Sequence, residues 1–396
     1  MITKAAIEAF SKIETPFYYY DMELLRATLQ ECRSQAARYG YKVHYAIKAN
    51  DQQRIVDTVC SYGFGVDCVS GGEISLAVAS GFDPATIVFA GVGKTDSEIR
   101  LALKAGIGCF NCESIPEMER IDEIAGEMGL RAAIAIRINP DIDAHTHKYI
   151  ATGLEENKFG ISIRAFDSVV EALTALKNID FRGLHVHVGS QITDMGVFAL
   201  ACKRTVDLTH RFCRAGFPVK SINLGGGLGV DYAHPAENPM PRFDAWFATV
   251  HENLPLEVGQ ELHFEPGRAL VAQCGSLISR AVYVKQGIDR KFVILDAGMN
   301  DLIRPALYQA YHAVENLTGS GPLERYDVAG PICESSDSWG EGLQITQARR
   351  GDIFAIHSAG AYGQVMAMPY NRRPFAKAYY SDEIGDKSEM KHYYSK

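Results

Sequence analysis

Tyr41-Lys42-Val43-His44-Tyr45-Ala46-Ile47-Lys48-Ala49-Asn50 alternates with a period of two. Val43, Tyr45 and Ile47 fall on one side, and His44, Ala46 and Lys48 on the other. The pattern is that of a short strand with Lys48 at its carboxyl end. In an α/β barrel that end carries the chemistry. A desolvated lysine there can shed its proton and attack a carbonyl. A surface lysine closing a strand explains these ten residues as simply, so the surrounding chain has to decide.

Before this stretch, residues 22–39 carry Met22, Leu24, Leu25, Leu29 and Cys32 at helical spacing and stop at Gly40. After it, helix-like 52–62 ends at Gly63. Strand-like segments at 65–69, 87–90, 109–111, 132–138, 183–188, 221–224 and 261–265 then alternate with helix-like 72–80, 95–105, 115–128, 165–177, 197–215 and 243–253. Residues 132–138 are almost wholly apolar, as suits a strand buried on both faces. About eight strand–helix units in succession imply a parallel sheet and suit a closed (β/α)8 barrel, with an open doubly wound sheet as the alternative.

From residue 266 the character changes to short strands at 270–281, 283–284, 292–295, 326–329 and 352–356 between Gly-rich turns, with only 299–314 helix-like. This is α/β plus β: a barrel over 22–265, and a mostly-β domain over 266–396 that also takes up 1–21. The strand Phe17-Tyr18-Tyr19-Tyr20 is expected to pair with the second domain. The polar stretch 139–157, with His145 and His147, has the length of a lid, a binding loop or a disordered segment. Residues 382–396 read as a frayed tail.

The 396 residues are 47% hydrophobic and 22% charged, an ordinary globular composition long enough for a large domain and a smaller one. The net charge of −8 argues against nucleic acid as a partner. No apolar run approaches the roughly 20 residues that span a bilayer, and no signal peptide is evident. Nine scattered cysteines, an odd number, fit free thiols in a reducing compartment, hence the cytoplasm.

Several motifs carry possible chemistry. Leu224-Gly225-Gly226-Gly227-Leu228-Gly229 follows a strand and can turn bare backbone amides toward an anion, or be only a flexible turn. Glu265-Pro266-Gly267-Arg268 follows the eighth strand. It offers a carboxylate for a heterocycle's nitrogen, close backbone approach at Gly267 and a guanidinium for an anion, or else a domain-boundary turn. His185 and His187 share a strand face, with His185 favoured as a satisfied core residue. Cys109 and Cys112 form one C-x-x-C without a partner pair and read as packing. Arg304 and Tyr308 lie four apart and can grip a carboxylate together. Cys333-Glu334-Ser335-Ser336-Asp337 joins a thiol to carboxylates, and Gly360-Ala361-Tyr362-Gly363 presents a phenol at an exposed tight turn.

Taken in order, Tyr45-Ala46-Ile47-Lys48-Ala49-Asn50, His187-Val188-Gly189-Ser190-Gln191, Gly225-Gly226-Gly227, Glu265-Pro266-Gly267-Arg268, Cys333-Glu334-Ser335 and Gly360-Ala361-Tyr362-Gly363 resemble the alanine-racemase-like, barrel-type PLP-dependent decarboxylases over nearly the whole chain. Arg304-Pro305-Ala306-Leu307-Tyr308 and the Glu334 after Cys333 resemble the branch acting on meso-2,6-diaminopimelate. The ornithine branch usually has an aspartate after the cysteine. The chain departs from the family in reading Ala-Ile-Lys where Ala-Val-Lys is commoner, and in placing Cys112 where an apolar residue is usual.

The resemblance implies decarboxylation of meso-2,6-diaminopimelate to L-lysine and CO2, the last step of lysine biosynthesis, with pyridoxal 5'-phosphate as cofactor. It implies that Lys48 holds the cofactor covalently, that His187 stacks on its ring and that Glu265 pairs with the ring nitrogen. Ser190, Gly226, Gly227 and the backbone at Gly267 and Arg268 are implied to cradle the phosphate, with Tyr362 near it. Asp67 and Arg137 match positions beside the cofactor. Cys333 matches the proton donor, and Arg268, Arg304, Tyr308, Glu334 and Tyr362 match the substrate contacts. A homodimer with shared active sites is implied, since the Cys333 and Tyr362 segments reach across a two-fold interface in this family.

Three alternatives stand beside it. One is a related decarboxylase of the same fold acting on a carboxylated polyamine, ornithine, lysine or arginine. The second is a non-catalytic cofactor-binding homologue, which often loses the donor cysteine or the second domain. The third is a zinc hydrolase built on His185, His187 and the loop histidines, which leaves Lys48 without a role.

Overall fold

The eight segments expected as barrel strands do close on themselves. The computed structural model describes residues 2–139 and 158–384. The strands are Lys42–Ala46, Gly65–Cys68, Ile87–Phe89, Cys109–Cys112, Ala132–Asn139, Ile179–His185, Ser221–Asn223 and Glu261–Phe264. Each pairs in parallel with its neighbours, and Glu261–Phe264 returns to pair with Lys42–Ala46. Every interior position of Ala132–Asn139 but Ala133 is buried, as its apolar sequence requires.

Helix starts are written locally. Thr95 and Glu98 form a reciprocal capping box for Asp96–Ala105, which ends on Gly106 in the left-handed region (φ 72°). Ser70 and Ser114 cap Gly71–Ala79 and Ile115–Glu127 through their side-chain oxygens. On the barrel's outer layer, Trp246 and Phe247 of the helix Phe243–Asn253 pack edge-on against Phe264, at ring-centroid distances of 4.8 and 4.9 Å.

The chain divides into two compact units. One comprises Leu29–Gly229 and Arg242–Gly267; the other comprises Met1–Thr28, Val230–Pro241 and Arg268–Lys396. The division falls inside the helix Met22–Ala37, and residues 230–241 cluster with the second unit. That unit is a β-sheet in which Val314–Asn316, Ile353–Ile356, Gly275–Gln286, Lys291–Leu295, Leu323–Ala329 and Ser338–Thr346 lie side by side. Phe17–Tyr20 adds to it, antiparallel to Gly275–Gln286 and parallel to Lys377–Tyr380. Phe10, from a helix Lys4–Phe10 that the sequence pattern does not announce, packs edge-on against Phe17 and Tyr19.

Several expectations are corrected. The strand carrying Lys48 stops at Ala46, and Ile47–Ala49 form a 3₁₀ turn. Residues 268–271 are a short helix, and 275–286 one continuous strand. The helix expected over 299–314 is only Arg304–Tyr308, because Gln309 turns into the left-handed region (φ 54°). The strand expected over 183–188 ends at His185. His145, His147 and the stretch 140–157 lie outside the described residues, as do 385–396 of the expected tail.

Two histidines on adjacent barrel strands are buried against each other. His44 Nδ1 lies 2.9 Å from the Thr86 carbonyl oxygen and therefore carries a proton; its Nε2 accepts from His263 Nδ1 at 2.8 Å. A side chain at position 65 would stand 2.4 Å from His44 Nδ1, so only glycine leaves room. Burial first, then the neighbouring His44 and the Lys42 cation, bring His263 down to about 4, outweighing Glu261. Unfolded, the ring titrates near 6.5, so the unfolded chain binds more protons between those values. This contribution is full above pH 6.5 and is lost as pH falls toward 4, at most about 3 kcal/mol. Urea melts from pH 7 to 4 should show that decline, and His263→Gln should flatten it. An equal decline in the variant would assign the acid sensitivity elsewhere.

Candidate active site

The carboxyl ends of the barrel strands gather an unusual set of charges. Lys48, in the turn after the first strand, reaches the Asp67 carboxylate at the end of the second. Its Nζ lies 2.8 Å from Oδ2, with the lysine side chain 40% exposed and the aspartate 1%. Burial first, then Glu265, push the Asp67 carboxyl up, and Lys48 pulls it back to about 6. A carboxyl poised there, in contact with an amine, can hold or return that amine's proton near neutral pH. Asp67 Oδ1 is buried and has no hydrogen-bond partner among the described residues.

Glu265 follows the last strand and is buried. Its Oε1 accepts from Asn223 Nδ2 at 2.6 Å and Asn111 Nδ2 at 3.1 Å. His185 Nε2 stands 3.1 Å from Oε2, at ion-pair distance without hydrogen-bond alignment. Burial alone would raise this carboxyl, but His185 and Lys48 outweigh it and hold it far below the usual range. The acid is therefore ionised across all ordinary pH.

His187 lies just past its strand and is neutral, because burial and the charges of Arg137 and Lys48 keep its pKa well below the usual value. Its Nδ1 accepts from the Gly226 amide at 3.2 Å, which leaves the ring proton on Nε2. The three glycines are a fitted turn and not a flexible one. A side chain at 225 would meet His187 Nδ1 at 2.5 Å, one at 226 the Glu265 carbonyl oxygen at 2.2 Å, and one at 227 the Gly189 carbonyl oxygen at 2.6 Å. At 267 it would crowd Ala46 and Ala49, at 3.0–3.2 Å. Ser190 follows in the loop after His187, half-buried. Arg137 donates to the buried Glu113 at 2.7 Å and stacks over Phe159 at 4.8 Å.

The second unit builds a different cluster. Arg304 and Arg268, both buried, each donate to the phenol oxygen of Tyr232, at 2.8 and 2.6 Å. Arg304 Nη1 also lies 2.9 Å from His312 Nε2. The Arg268 guanidinium sits 4.9 Å over the ring of Tyr362, a half-buried residue held at φ 56°. Tyr308 closes the short helix that Arg304 opens. Cys333 and Glu334 are exposed and bond elsewhere: the Cys333 amide meets Asn371 Oδ1 at 3.5 Å, and Glu334 accepts from the Tyr370 hydroxyl at 2.7 Å.

Sequence reading missed five residues of these clusters. His185 was expected as plain core, yet it faces the buried carboxylate; its spacing of two from His187 was the available signal. Asn111 stood inside the Cys109–Cys112 motif, and Asn223 two places before the glycines. Tyr232 and His312 carried no local signal.

Comparisons with known proteins agree with this chemistry. The chain matches the model of the pyridoxal-dependent decarboxylase, pyridoxal binding domain, over residues 23–272. It is 54% identical over 379 residues to a diaminopimelate decarboxylase of Bacteroides thetaiotaomicron, covering 96% of this chain and 98% of that one. Among solved structures it is similar to the diaminopimelate decarboxylase of Helicobacter pylori complexed with L-lysine, with a TM-score of 0.87, 37% identity and coverage of 94% and 93%. It is also similar to that of M. jannaschii in co-complex with L-lysine, with a TM-score of 0.87, 34% identity and coverage of 95% and 89%.

Gly226→Ala should cost roughly 1–3 kcal/mol, because its Cβ meets backbone that cannot yield. Gly93→Ala, where a Cβ meets nothing within 4 Å, is the control. Chemical melts that leave both variants level with the parent would contradict the fitted-turn account.

Proposed function

The chain belongs to the pyridoxal-dependent decarboxylase family, and from that premise we propose that it converts meso-2,6-diaminopimelate to L-lysine and CO2 with pyridoxal 5'-phosphate, the last step of lysine biosynthesis. The observation that carries the proposal is the barrel-end set of a half-exposed Lys48 amine on buried Asp67, beside the buried, ionised Glu265. The residues fit the cofactor: the Lys48 amine is half-exposed at the barrel end, buried Glu265 is an anion beside it, and Asp67 Oδ1 is a buried acceptor still to be satisfied. When bound, pyridoxal phosphate supplies a sink for the electron pair left by the departing carboxylate.

In this proposal Lys48 is the covalent anchor, and Asp67 keeps its proton close at hand. Glu265, as an anion, would pair with the cofactor's ring nitrogen and favour its protonated form, and His187 would meet the ring as a neutral imidazole. Ser190 and the backbone at Gly226, Gly227, Gly267 and Arg268 bind the phosphate, with Tyr362 beside it. Cys333 Sγ returns a proton to the carbon that loses its carboxylate. Arg268, Arg304, Tyr308 and Tyr362 take the substrate's far carboxylate, and Glu334 its ammonium.

Residues 22–265 act as the cofactor domain, and 1–21 with 266–396 as the substrate domain. The exposure of Cys333 and Glu334 in a single chain supports a homodimer in which a second copy completes their surroundings. Nine free thiols support a cytoplasmic setting. No described helix is long and apolar enough to cross a membrane. A diamine-forming decarboxylase would have no far carboxylate for Arg304, a buried cation with no ion pair among the described residues.

Purified holoenzyme should release CO2 and L-lysine in equal amounts from meso-diaminopimelate; release from ornithine, arginine or lysine in preference would overturn the assignment. Arg304→Ala should lower kcat/KM for diaminopimelate by about 100-fold while cofactor absorbance is retained. A defect fully explained by cofactor loss would remove Arg304 from substrate recognition.

A further inference from the structure

Arg304 is held in a way that leaves one specific edge of its guanidinium to be filled. Its Nη1 has two hydrogens, and both are committed: Tyr232 Oη lies at 2.8 Å and His312 Nε2 at 2.9 Å. The His312 contact has only one possible polarity. Its Nδ1 lies 2.8 Å from the His357 carbonyl oxygen, which can only accept, so Nδ1 carries the ring proton and Nε2 presents a lone pair. Tyr232 Oη likewise has two acceptor positions, and guanidinium hydrogens of Arg304 and Arg268 occupy both. Its own O–H must therefore point away from both arginines. The His312 and Tyr232 rings brace each other edge to face, with centroids 5.0 Å apart.

The remaining edge of Arg304 has Nε and Nη2 side by side, the fork that takes a carboxylate through two parallel bonds. Arg304 is 4% exposed, and its Nε meets no acceptor among the described residues. A buried guanidinium with an unmet donor is costly unless an anion arrives.

We propose that His312 and Tyr232 are positioning residues for substrate recognition: His312 fixes the plane of Arg304 through its Nδ1–H tautomer, and Tyr232 ties Arg304 to Arg268, so that the Nε–Nη2 fork stands ready for the carboxylate at the unreacting end of diaminopimelate. This rests on the function proposed above. Burial, with the charge of Arg304 behind it, keeps the imidazole pKa near 3, so His312 acts as a pure acceptor at working pH.

The test uses holoenzyme carrying Tyr232→Phe, His312→Phe or His312→Gln; the glutamine can present an amide oxygen where Nε2 was. L-lysine keeps the far carboxylate and cadaverine lacks it, so their binding by calorimetry isolates the carboxylate. Tyr232→Phe and His312→Phe should raise the KM for diaminopimelate and the Kd for L-lysine about tenfold or more. The Kd for cadaverine should change by less than about twofold, kcat by less than about threefold, and His312→Gln should recover most of the L-lysine affinity. L-lysine binding unchanged in Tyr232→Phe, a loss of only one oxygen at a half-buried site, would overturn the inference. Equal losses for L-lysine and cadaverine would overturn it too, because they would mark general damage. Failure of the parent enzyme to make lysine, with these binding shifts intact, would overturn the proposed reaction and leave the carboxylate fork supported.

Discussion

The contact between Lys48 and Asp67 sets the terms for the barrel. A carboxylate 1% exposed cannot stay ionised without a cation, and Lys48 supplies it from a side chain still 40% open. Asp67 shares its surroundings with Glu265, a second buried carboxylate that raises the cost of ionising the first. The barrel meets that cost with the cation of Lys48, the imidazole of His185, and the amides of Asn111 and Asn223. Truncating one member of such a set leaves an uncompensated charge and is expected to cost roughly 3–5 kcal/mol. The glycines have the same origin. His187, Glu265 and the backbone between them lie so close that no side chain fits at 225 or 226.

The other unit presents the opposite demand. Arg304 and Arg268 are buried cations that both donate to the Tyr232 phenol, with a neutral imidazole also bonded to Arg304. Phenols and a neutral imidazole orient a guanidinium without cancelling its charge. Cation–π contact with Tyr232 and Tyr362, at 4.8 and 4.9 Å, softens the burial but is weaker than a carboxylate. In the barrel unit two buried carboxylates, Asp67 and Glu265, gather around one amine, and in the other unit the Arg304 guanidinium keeps its charge.

How much of this the sequence disclosed depends on the range of the interaction. The barrel was legible because its determinants are local: apolar runs for strands, Thr95 with Glu98 and Gly106 for a helix's two ends, and the aromatic run Phe17–Tyr20 for an added strand. The helix expected through 299–314 stops at Tyr308 because Gln309 takes a left-handed backbone, which apolar periodicity does not encode. Lys48, Glu265 and the glycines were found because each follows a strand and has a distinctive composition. His185, Asn111 and Asn223 were not, since an ordinary polar residue in a strand gives no sign that a carboxylate far along the chain will face it. Tyr232 and Arg304 are separated by 72 positions, and only the fold brings them together.

The central claim is that Lys48, set on Asp67, is the amine that carries the cofactor. Borohydride reduction of the protein with pyridoxal phosphate, followed by peptide mapping, should place a pyridoxyl mass on Lys48 alone and leave Lys48→Ala untagged. A tag on another lysine, or an unchanged tag in Lys48→Ala, would contradict it.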